Sequence, residues 1–535
     1  MRLEYRSLAS AAITVCMFAI SVAAQTPDSG WYTSNPDADT FYISNADELA
    51  GLADIVNREE KLGTKAFEGK TIILIADIDL SEYGKNSVFN DGKGWEPIGR
   101  EVHILAFAPC PPEMDCPPLQ GASTGVPFSG VFDGAGHKIT NLYINRTAAD
   151  ASPHISRSGA GLFGHIIGGT IKNLGIEGAE IVSAGVDDYV GIIAGLVESF
   201  EFGNTYVPPG SASGWVIGCY ATGTVSGSKV NSNKTGNYVG GVVGGFYDGL
   251  VVNSYFDGAV TGNYIVGGIA GRAEANGSTT NILGCYSAGT VTSNGIAGGV
   301  VGITKPTGKV EYSYSISAVT SAGIAGGIIG SDKGGLGGFT GSAKSCAALN
   351  PSVTTSGSEF GRIFGNYYES PVLPRLDSLF AFVGMELPGQ IDTVGIRTSN
   401  GADMTIDDIH ADGTINGIFT SANGWTTAPD KLPGLFSQTV DMPPHLQKKT
   451  SISLPPSVQN NHAPIITVRG RTLNIKSSSP NAISQVRLID IRGSTVRSFT
   501  SSGDMNFSLL GISAGYYFVE VREMGNRRFT RAFIF

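Results

Sequence analysis

Gly240-Gly241-Val242-Val243-Gly244, Gly267-Gly268-Ile269-Ala270-Gly271, Gly298-Gly299-Val300-Val301-Gly302 and Gly326-Gly327-Ile328-Ile329-Gly330 are four copies of one Gly-Gly-apolar-apolar-Gly element. The closing glycines lie 27, 31 and 28 residues apart, a period in the solenoid range. Looser copies, Gly161-Leu162-Phe163-Gly164 and Gly191-Ile192-Ile193-Ala194-Gly195, precede them. Between elements runs a second recurring segment: Cys219-Tyr220 with Gly223-Thr224-Val225, Ser254-Tyr255 with Gly258-Ala259-Val260, Cys285-Tyr286 with Gly289-Thr290-Val291, and Ser313-Tyr314 with Ala318-Val319. Cys346 with Val353 reads as a last, degraded copy.

Short runs rich in Val, Ile, Thr and Tyr, punctuated by Gly, Asn and Ser, favour strands over helices. One such unit cannot bury its own apolar side chains. Successive units can, by piling Val on Val and Ile on Ile into a continuous narrow core. The expected fold is therefore all-β: a right-handed parallel β-helix, one coil per repeat. The glycines are expected to supply positive φ and close backbone approach at the bends. Asn141, Asn173 and Asn253 share one repeat position with Gly218 and Gly284, and residues of both types tolerate the left-handed conformation, so that position reads as a bend. Cys219, Cys285 and Cys346, alternating with Ser254 and Ser313, read as small buried core residues.

Composition agrees with an elongated, exported array. The 535 residues exceed one ordinary core, and 74 glycines with 41% hydrophobic residues describe a packed, glycine-punctuated fold rather than collagen or a disordered tract. Arg2 and Arg6, an apolar run from Leu8 to Val22 and the small residues Val22-Ala23-Ala24 form a secretory signal, with cleavage expected between Ala24 and Gln25. In the oxidising compartment this implies, Cys110 and Cys116, held in a proline-rich loop, are expected to form a local disulfide. Two thiolates without a second ligand pair make a poor zinc site. The net charge of −10 argues against a nucleic-acid partner for the body of the chain. The stretch from Ile465 to Phe535 differs, with ten Lys or Arg against four Asp or Glu.

Phe41-Tyr42-Ile43-Ser44-Asn45-Ala46-Asp47-Glu48-Leu49, Leu74-Ile75-Ala76-Asp77-Ile78-Asp79-Leu80, Trp95-Glu96-Pro97-Ile98-Gly99 and Phe128-Ser129-Gly130-Val131-Phe132-Asp133-Gly134 resemble, in that order, the opening of secreted bacterial proteins with GLUG-motif repeats. The Gly-Gly-apolar-apolar-Gly elements match the GLUG motif itself, and Trp425 with Leu432-Pro433-Gly434-Leu435 resembles the segment that closes such arrays. The resemblance covers Phe41 to Phe436. It implies a β-helix of the kind found in surface adhesins and in non-catalytic parts of large secreted proteins, including some IgA-cleaving peptidases, and it implies no active site. Ser44 and Asp47 fit a capping box, so residues 45–57 are expected to form a short amphipathic helix whose apolar face plugs the first coil. The β-helix is expected to occupy residues 25–436.

Residues 437–464, rich in Pro, Ser and Gln, read as an extended linker. Beyond it, Val486-Arg487-Leu488, Val496-Arg497-Ser498-Phe499 and Tyr516 to Arg522 alternate as strands, with turns at Arg492-Gly493 and Ala514-Gly515, predicting a small antiparallel β-sandwich over 465–535. Ile489-Asp490-Ile491-Arg492-Gly493 and Leu510 to Val519 resemble the C-terminal sorting domains of the type IX (Por) secretion pathway, in a variant ending Arg531-Ala532-Phe533-Ile534-Phe535. That resemblance implies export machinery as a partner, and a secreted or outer-membrane surface location.

Catalysis on a β-helix needs clustered carboxylates with a base or cation nearby. The best candidates come just after the GLUG elements: Asp248, Arg272 with Glu274, Lys305 and Asp332 could line one edge of neighbouring coils, though surface charges that solubilise a solenoid explain them more simply. Asp77 and Asp79 read as turn and cap residues, and His137 as a turn residue. Gly121-Ala122-Ser123-Thr124-Gly125 lacks the strand and helix that a nucleophile elbow requires, and no His is followed by Glu as a His-Glu-x-x-His zinc site demands. Tyr220, Tyr255, Tyr286 and Tyr314 recur once per coil and either belong to the core or form an aromatic ladder for sugar stacking. The expectation is thus a monomeric, non-enzymatic surface or secreted protein for adhesion or polysaccharide binding, without cofactor or metal. A polysaccharide lyase or glycoside hydrolase on the same fold and a structural envelope protein are the alternatives.

Overall fold

The computed structural model describes residues 25–58, 66–85, 87–99, 126–147, 159–184, 189–199, 214–228, 237–274, 281–305, 308–332, 341–367, 376–448, 465–469, 471–476, 483–490, 494–500, 505–513, 515–523 and 528–534. The leader through Ala24 and the loop bearing Cys110 and Cys116 lie outside the described residues. The chain forms two compact units, residues 1–448 and 449–535.

The first unit is a parallel β-helix. One turn of it reads Tyr238–Gly240, Val243–Tyr247, Leu250–Val252 and Tyr255–Gly262, and the next reads Ile265–Gly267, Ala270–Glu274, Asn281–Leu283 and Tyr286–Ser293. Each strand pairs in parallel with its counterpart one coil on, as in Tyr255↔Tyr286 and Val260↔Val291. The strands before and after the GLUG turn build two separate seven-stranded parallel sheets. The remaining strands of each coil join one 21-stranded sheet along the other side. Alternation places Ala221, Val225, Val239, Phe246, Val260 and Val291 in a sealed lumen. That narrow stack is the core the repeats predicted.

The GLUG glycines are required by crowding rather than by backbone conformation, since none of those in the four full copies has positive φ. A Cβ on the first glycine would strike the carbonyl three residues on, at 2.0 Å for Gly240 and Gly267 and 1.9 Å for Gly298 and Gly326. A Cβ on the second would strike the carbonyl of the next coil's second residue: Gly241 on Gly268 at 2.3 Å, Gly268 on Gly299 at 2.2 Å, Gly299 on Gly327 at 2.0 Å and Gly327 on Arg362 at 2.1 Å. This chain of contacts ends at a further copy, Gly361-Arg362-Ile363-Phe364-Gly365. There a side chain is allowed, because a closing segment rather than another coil packs against it. Buried Arg362 donates to the Asn400 and Gly401 carbonyls at 3.0 and 2.9 Å and to Asp403 at 2.8 Å, fastening that segment under the last coil.

Positive φ appears instead at the bend before the tyrosine strand. Asn141 (60°), Asn173 (52°), Gly218 (61°), Asn253 (46°) and Gly284 (67°) adopt it as expected, and Tyr312 (47°) and Ser345 (52°) continue the row.

At the other end, the helix Ala46–Arg58 buries Leu49, Leu52 and Val56 in the same core. Its cap differs from the expected pair. Asn45 Oδ1 accepts from the Glu48 amide at 3.0 Å, and the Glu48 carboxylate accepts from the Ser44 amide and hydroxyl at 2.6 and 2.9 Å. The reach-back residue is therefore Glu48. Asp47 instead accepts a 2.6 Å bond from Tyr83 Oη.

Residues 437–448, read from sequence as the start of a linker, belong to the first unit. Leu446 is fully buried, and the chain is held by Val440 N–H to Leu432 O at 3.0 Å and by His445 Nε2 against Leu349 O at 2.7 Å. The unit at 449–535 contains a three-stranded antiparallel sheet (Ile465–Arg469, Thr472–Lys476, Met505–Ser508) and a four-stranded one (Thr495–Phe499, Ile483–Asp490, Tyr516–Glu523, Arg528–Ile534). Leu473, Ile475, Val486, Leu488, Val519 and Val521 from both sheets share one core, giving the antiparallel sandwich expected.

Candidate functional site

Strand parity determines what each coil shows to solvent. Tyr220, Tyr255, Tyr286 and Tyr314 neighbour inward residues and so point out of the solenoid, where in-register pairing stacks their rings at 5.1, 4.7 and 5.1 Å with interplanar angles of 9°, 13° and 4°. They form a ladder, but its faces are spent. Each inner ring faces its neighbours, and the Tyr220 ring lies over Gly175, whose built Cβ would be 2.4 Å from it. The ring edges are covered by the chain returning from the last coil: Trp425 meets Tyr286 and Tyr314 at 6.2 and 5.6 Å, Phe419 meets Tyr314 at 5.4 Å, and Phe436 meets Tyr220 and Tyr255 at 5.8 and 5.9 Å. Tyr286 and Tyr314 are buried as a result. Sugar stacking needs an open ring face, so the ladder is corrected from a glycan platform to the seat of a strap. The strap residues Trp425 and Leu432 to Leu435 are those singled out by resemblance.

Other sequence candidates settle into local roles. Asp79 accepts from Asn141 Nδ2 at 2.8 Å and from the Ser81 amide at 2.9 Å, which hold its carboxyl below the usual range. Asp77 caps the Lys138 amide and lies 3.1 Å from His137 Nδ1. Cys219, Cys285 and Cys346 are free and buried, and burial pushes each thiol up to about 12. Among the described residues no group of three or more His, Cys, Asp or Glu is arranged to hold a metal ion.

The charged edge after the GLUG turns is a different matter. Outward side chains of the two seven-stranded sheets meet each other, so the corner between the sheets is re-entrant on the outside. Tyr189 and Tyr238 come from one sheet; His165, Leu196, Glu198, Tyr247, Arg272, Glu274 and Lys305 come from the strands, and the residue just past them, of the other. Tyr189 and Tyr238 stack at 5.2 Å, and Tyr189 Oη lies 2.8 Å from Tyr247 Oη. The Arg272 guanidinium sits over the rings of Tyr238 and Tyr247 at 5.0 and 4.8 Å, donates to Tyr238 Oη at 3.0 Å and pairs with Glu274. Cation–π contacts of this kind strengthen when desolvated. His165 Nε2 lies 2.8 Å from Glu198, both buried. Lys305 continues the Glu198, Tyr247, Glu274 row by one coil, since its amide bonds the Ala273 carbonyl at 2.8 Å. Burial, with Arg272 second, holds its ammonium below the ordinary value.

Of the five charged residues picked from sequence, Arg272, Glu274 and Lys305 therefore share one electrostatic site. Asp248 bonds through its amide to the Glu274 carbonyl at 2.9 Å, and Asp332 sits two coils on, bonded to Asn366 O at 3.3 Å. Tyr189, Tyr238, Tyr247 and the His165–Glu198 pair were missed. Counting parity from each GLUG element would have found them: the residue two before its first glycine and those one and three after its last face the corner.

No family model matches the chain. Halomucin of Haloquadratum walsbyi is 29% identical over 175 residues, 32% of this chain and 2% of halomucin. A candidate Gly-rich membrane protein of Evansella cellulosilytica is 31% identical over 130 residues, 24% of this chain and 11% of that protein. The matches thus span only small fractions of those relatives. Among solved structures, a candidate immunoglobulin A1 protease from Bacteroides ovatus is similar over 75% of this chain and 94% of its own, at 19% identity and a TM-score of 0.43. A structure described as an IgA1 protease is similar over 76% of this chain and 26% of its own, at 13% identity and a TM-score of 0.38.

Proposed function

We propose that this chain is an exported, surface-displayed β-helix that binds a polysaccharide along its flank and does not cleave it. The observation that carries the reading is the outer corner. There a rigid in-register scaffold lines up Arg272, Glu274 and Lys305 at the coil spacing over the buried rings of Tyr189 and Tyr247, a row of charged groups matched to an extended polymer rather than to a compact small molecule. Binding is favoured over turnover because the corner's carboxylates are engaged: Glu274 by Arg272 and Glu198 by His165. A general acid or nucleophile must instead present its carboxyl to the reacting bond. Export is supported by the leader-like run ending at Ala24 and by the antiparallel C-terminal unit with its sorting-domain resemblance.

The test is an array of plant, microbial and host glycans probed with the purified protein, assayed in parallel for bound protein and for new reducing or unsaturated ends. Retention without product is the expected result. Product formation would overturn the non-enzymatic reading in favour of a polysaccharide-degrading enzyme using Arg272, Glu274 and Lys305. Absence of any retention would leave the envelope-scaffold alternative in its place.

A further inference from the structure

Among the described residues, Arg272 and Lys305 share the neighbourhood of Glu274 in the outer corner, while Glu198, two coils back in the row, is held by His165. Glu274 is paired with Arg272; Lys305, beside Glu274 on the adjoining coil, makes no side-chain hydrogen bond or close ion pair among the described residues, and burial and Arg272 outweigh the attraction of Glu274. Arg272 Nε is likewise buried without an acceptor. A half-buried ammonium beside a guanidinium is an unfavourable arrangement, and here it sits in a chain whose net charge is −10. Beside it stands half-buried Tyr264, meeting Tyr238 edge-on at 6.1 Å, while the Tyr238 and Tyr247 rings lie under the guanidinium. An amphipathic ring beside a positive centre suits a ligand that is part sugar face and part anion.

Resting on the polysaccharide reading, we infer that Lys305 and Arg272 form a subsite for the carboxylate of a uronic acid unit, so that the polymer recognised is an acidic glycan. The carboxylate supplies a counter-ion to Lys305, accepting from its Nζ, while neighbouring sugar units run along the coil axis past Tyr264. The same logic makes Lys305 dispensable for folding, because removing a half-buried charge that burial and Arg272 disfavour breaks no side-chain hydrogen bond or close ion pair among the described residues.

The experiment compares the full chain with Lys305→Met, which keeps the length of the stem and removes the charge. Each is titrated calorimetrically with de-esterified oligogalacturonate, with the same oligomer fully methyl-esterified, and with poly-Glu of equal charge. The expected result is binding of the acid oligomer that weakens at least tenfold in Lys305→Met and with rising salt, weak binding of the ester by both proteins, and an unchanged or raised Tm for the variant. Equal affinity for acid and ester, equal affinity of the two proteins for the acid, or no binding of the acid overturns the proposal. Preference for poly-Glu overturns the sugar assignment in favour of an acidic peptide. Retention of neutral glycans on the array alongside any of these failures would remove the acidic subsite and keep the broader binding function. Failure of the whole array removes both.

Discussion

Tyr314 and Pro433, 119 residues apart in sequence, are joined by a 2.6 Å hydrogen bond from the tyrosine hydroxyl to the proline carbonyl. The bond ties the strap to the ladder at its most buried rung. Tyr314→Phe keeps the ring stack but leaves that carbonyl without its donor, a cost of about 1–3 kcal/mol. The variant is expected to show faster hydrogen exchange and earlier proteolytic nicking within residues 411–448 than within the coils. Uniform protection equal to the parent would mean that Trp425 and Phe419 alone hold the strap.

The contact chain from Gly241 to Arg362 gives an asymmetric pair of substitutions. Gly299→Ala places a Cβ where the Gly327 carbonyl stands, 2.0 Å away, inside a sealed lumen that cannot yield without shifting a coil. A loss on the order of 3 kcal/mol or more is expected, from the overpacking and backbone displacement together. Arg362→Ala has no such clash and loses instead the hydrogen bonds to Asn400, Gly401 and Asp403, so its damage should localise to residues 396–410. Urea denaturation followed by both tryptophan fluorescence and local exchange separates the two patterns.

These two cases also mark what a sequence can reveal. The repeat period, strand identity, the left-handed bend at Asn173 and Gly218 and the sandwich all come from local chemistry, because each depends on residues near in sequence or on strict periodicity. The meaning of the tyrosine row does not. Whether Tyr286 is core, platform or seat depends on a segment more than a hundred residues away, and its outward direction only becomes visible once parity with Ser287 is fixed. Three members of the charged corner, Arg272, Glu274 and Lys305, were visible as a cluster of types. Parity would have put Tyr189 and Tyr247 on the same corner, but that they touch was not legible, since they lie in different coils and meet only through parallel stacking.

The bend row predicts a ranking at Asn173, whose φ is 52° and whose Nδ2 donates to Asp133 at 3.0 Å. Asn173→Gly keeps the conformation and loses one partly exposed hydrogen bond, about 1 kcal/mol. Asn173→Val loses the same bond and must also hold a β-branched residue in the left-handed region, adding roughly 1–2 kcal/mol. Denaturation midpoints should therefore fall in the order parent, Gly, Val. A Val variant as stable as the Gly variant would show that the bend relaxes.

Stability should decline in alkali, and the core thiols open the window. Burial pushes Cys219, Cys285 and Cys346 from 9.0 up to about 12. Between those values an unfolded chain releases thiol protons that the folded chain retains, so the folded state loses ground as pH rises. The contribution is fully present below pH 9 and is spent as pH passes about 12. Replacing all three with Ser would remove the thiol part of this slope, while the tyrosines raised mainly by burial, Tyr255 (to about 12) and Tyr220, Tyr247, Tyr286 and Tyr314 among them, would leave a residual one. The same burial predicts that none of the three reacts with a maleimide at pH 8 in the native protein and that all three react in denaturant. Mass spectrometry of tryptic peptides reads this site by site, and native labelling at Cys285, midway along the stack, would mean that the coils separate on the labelling timescale.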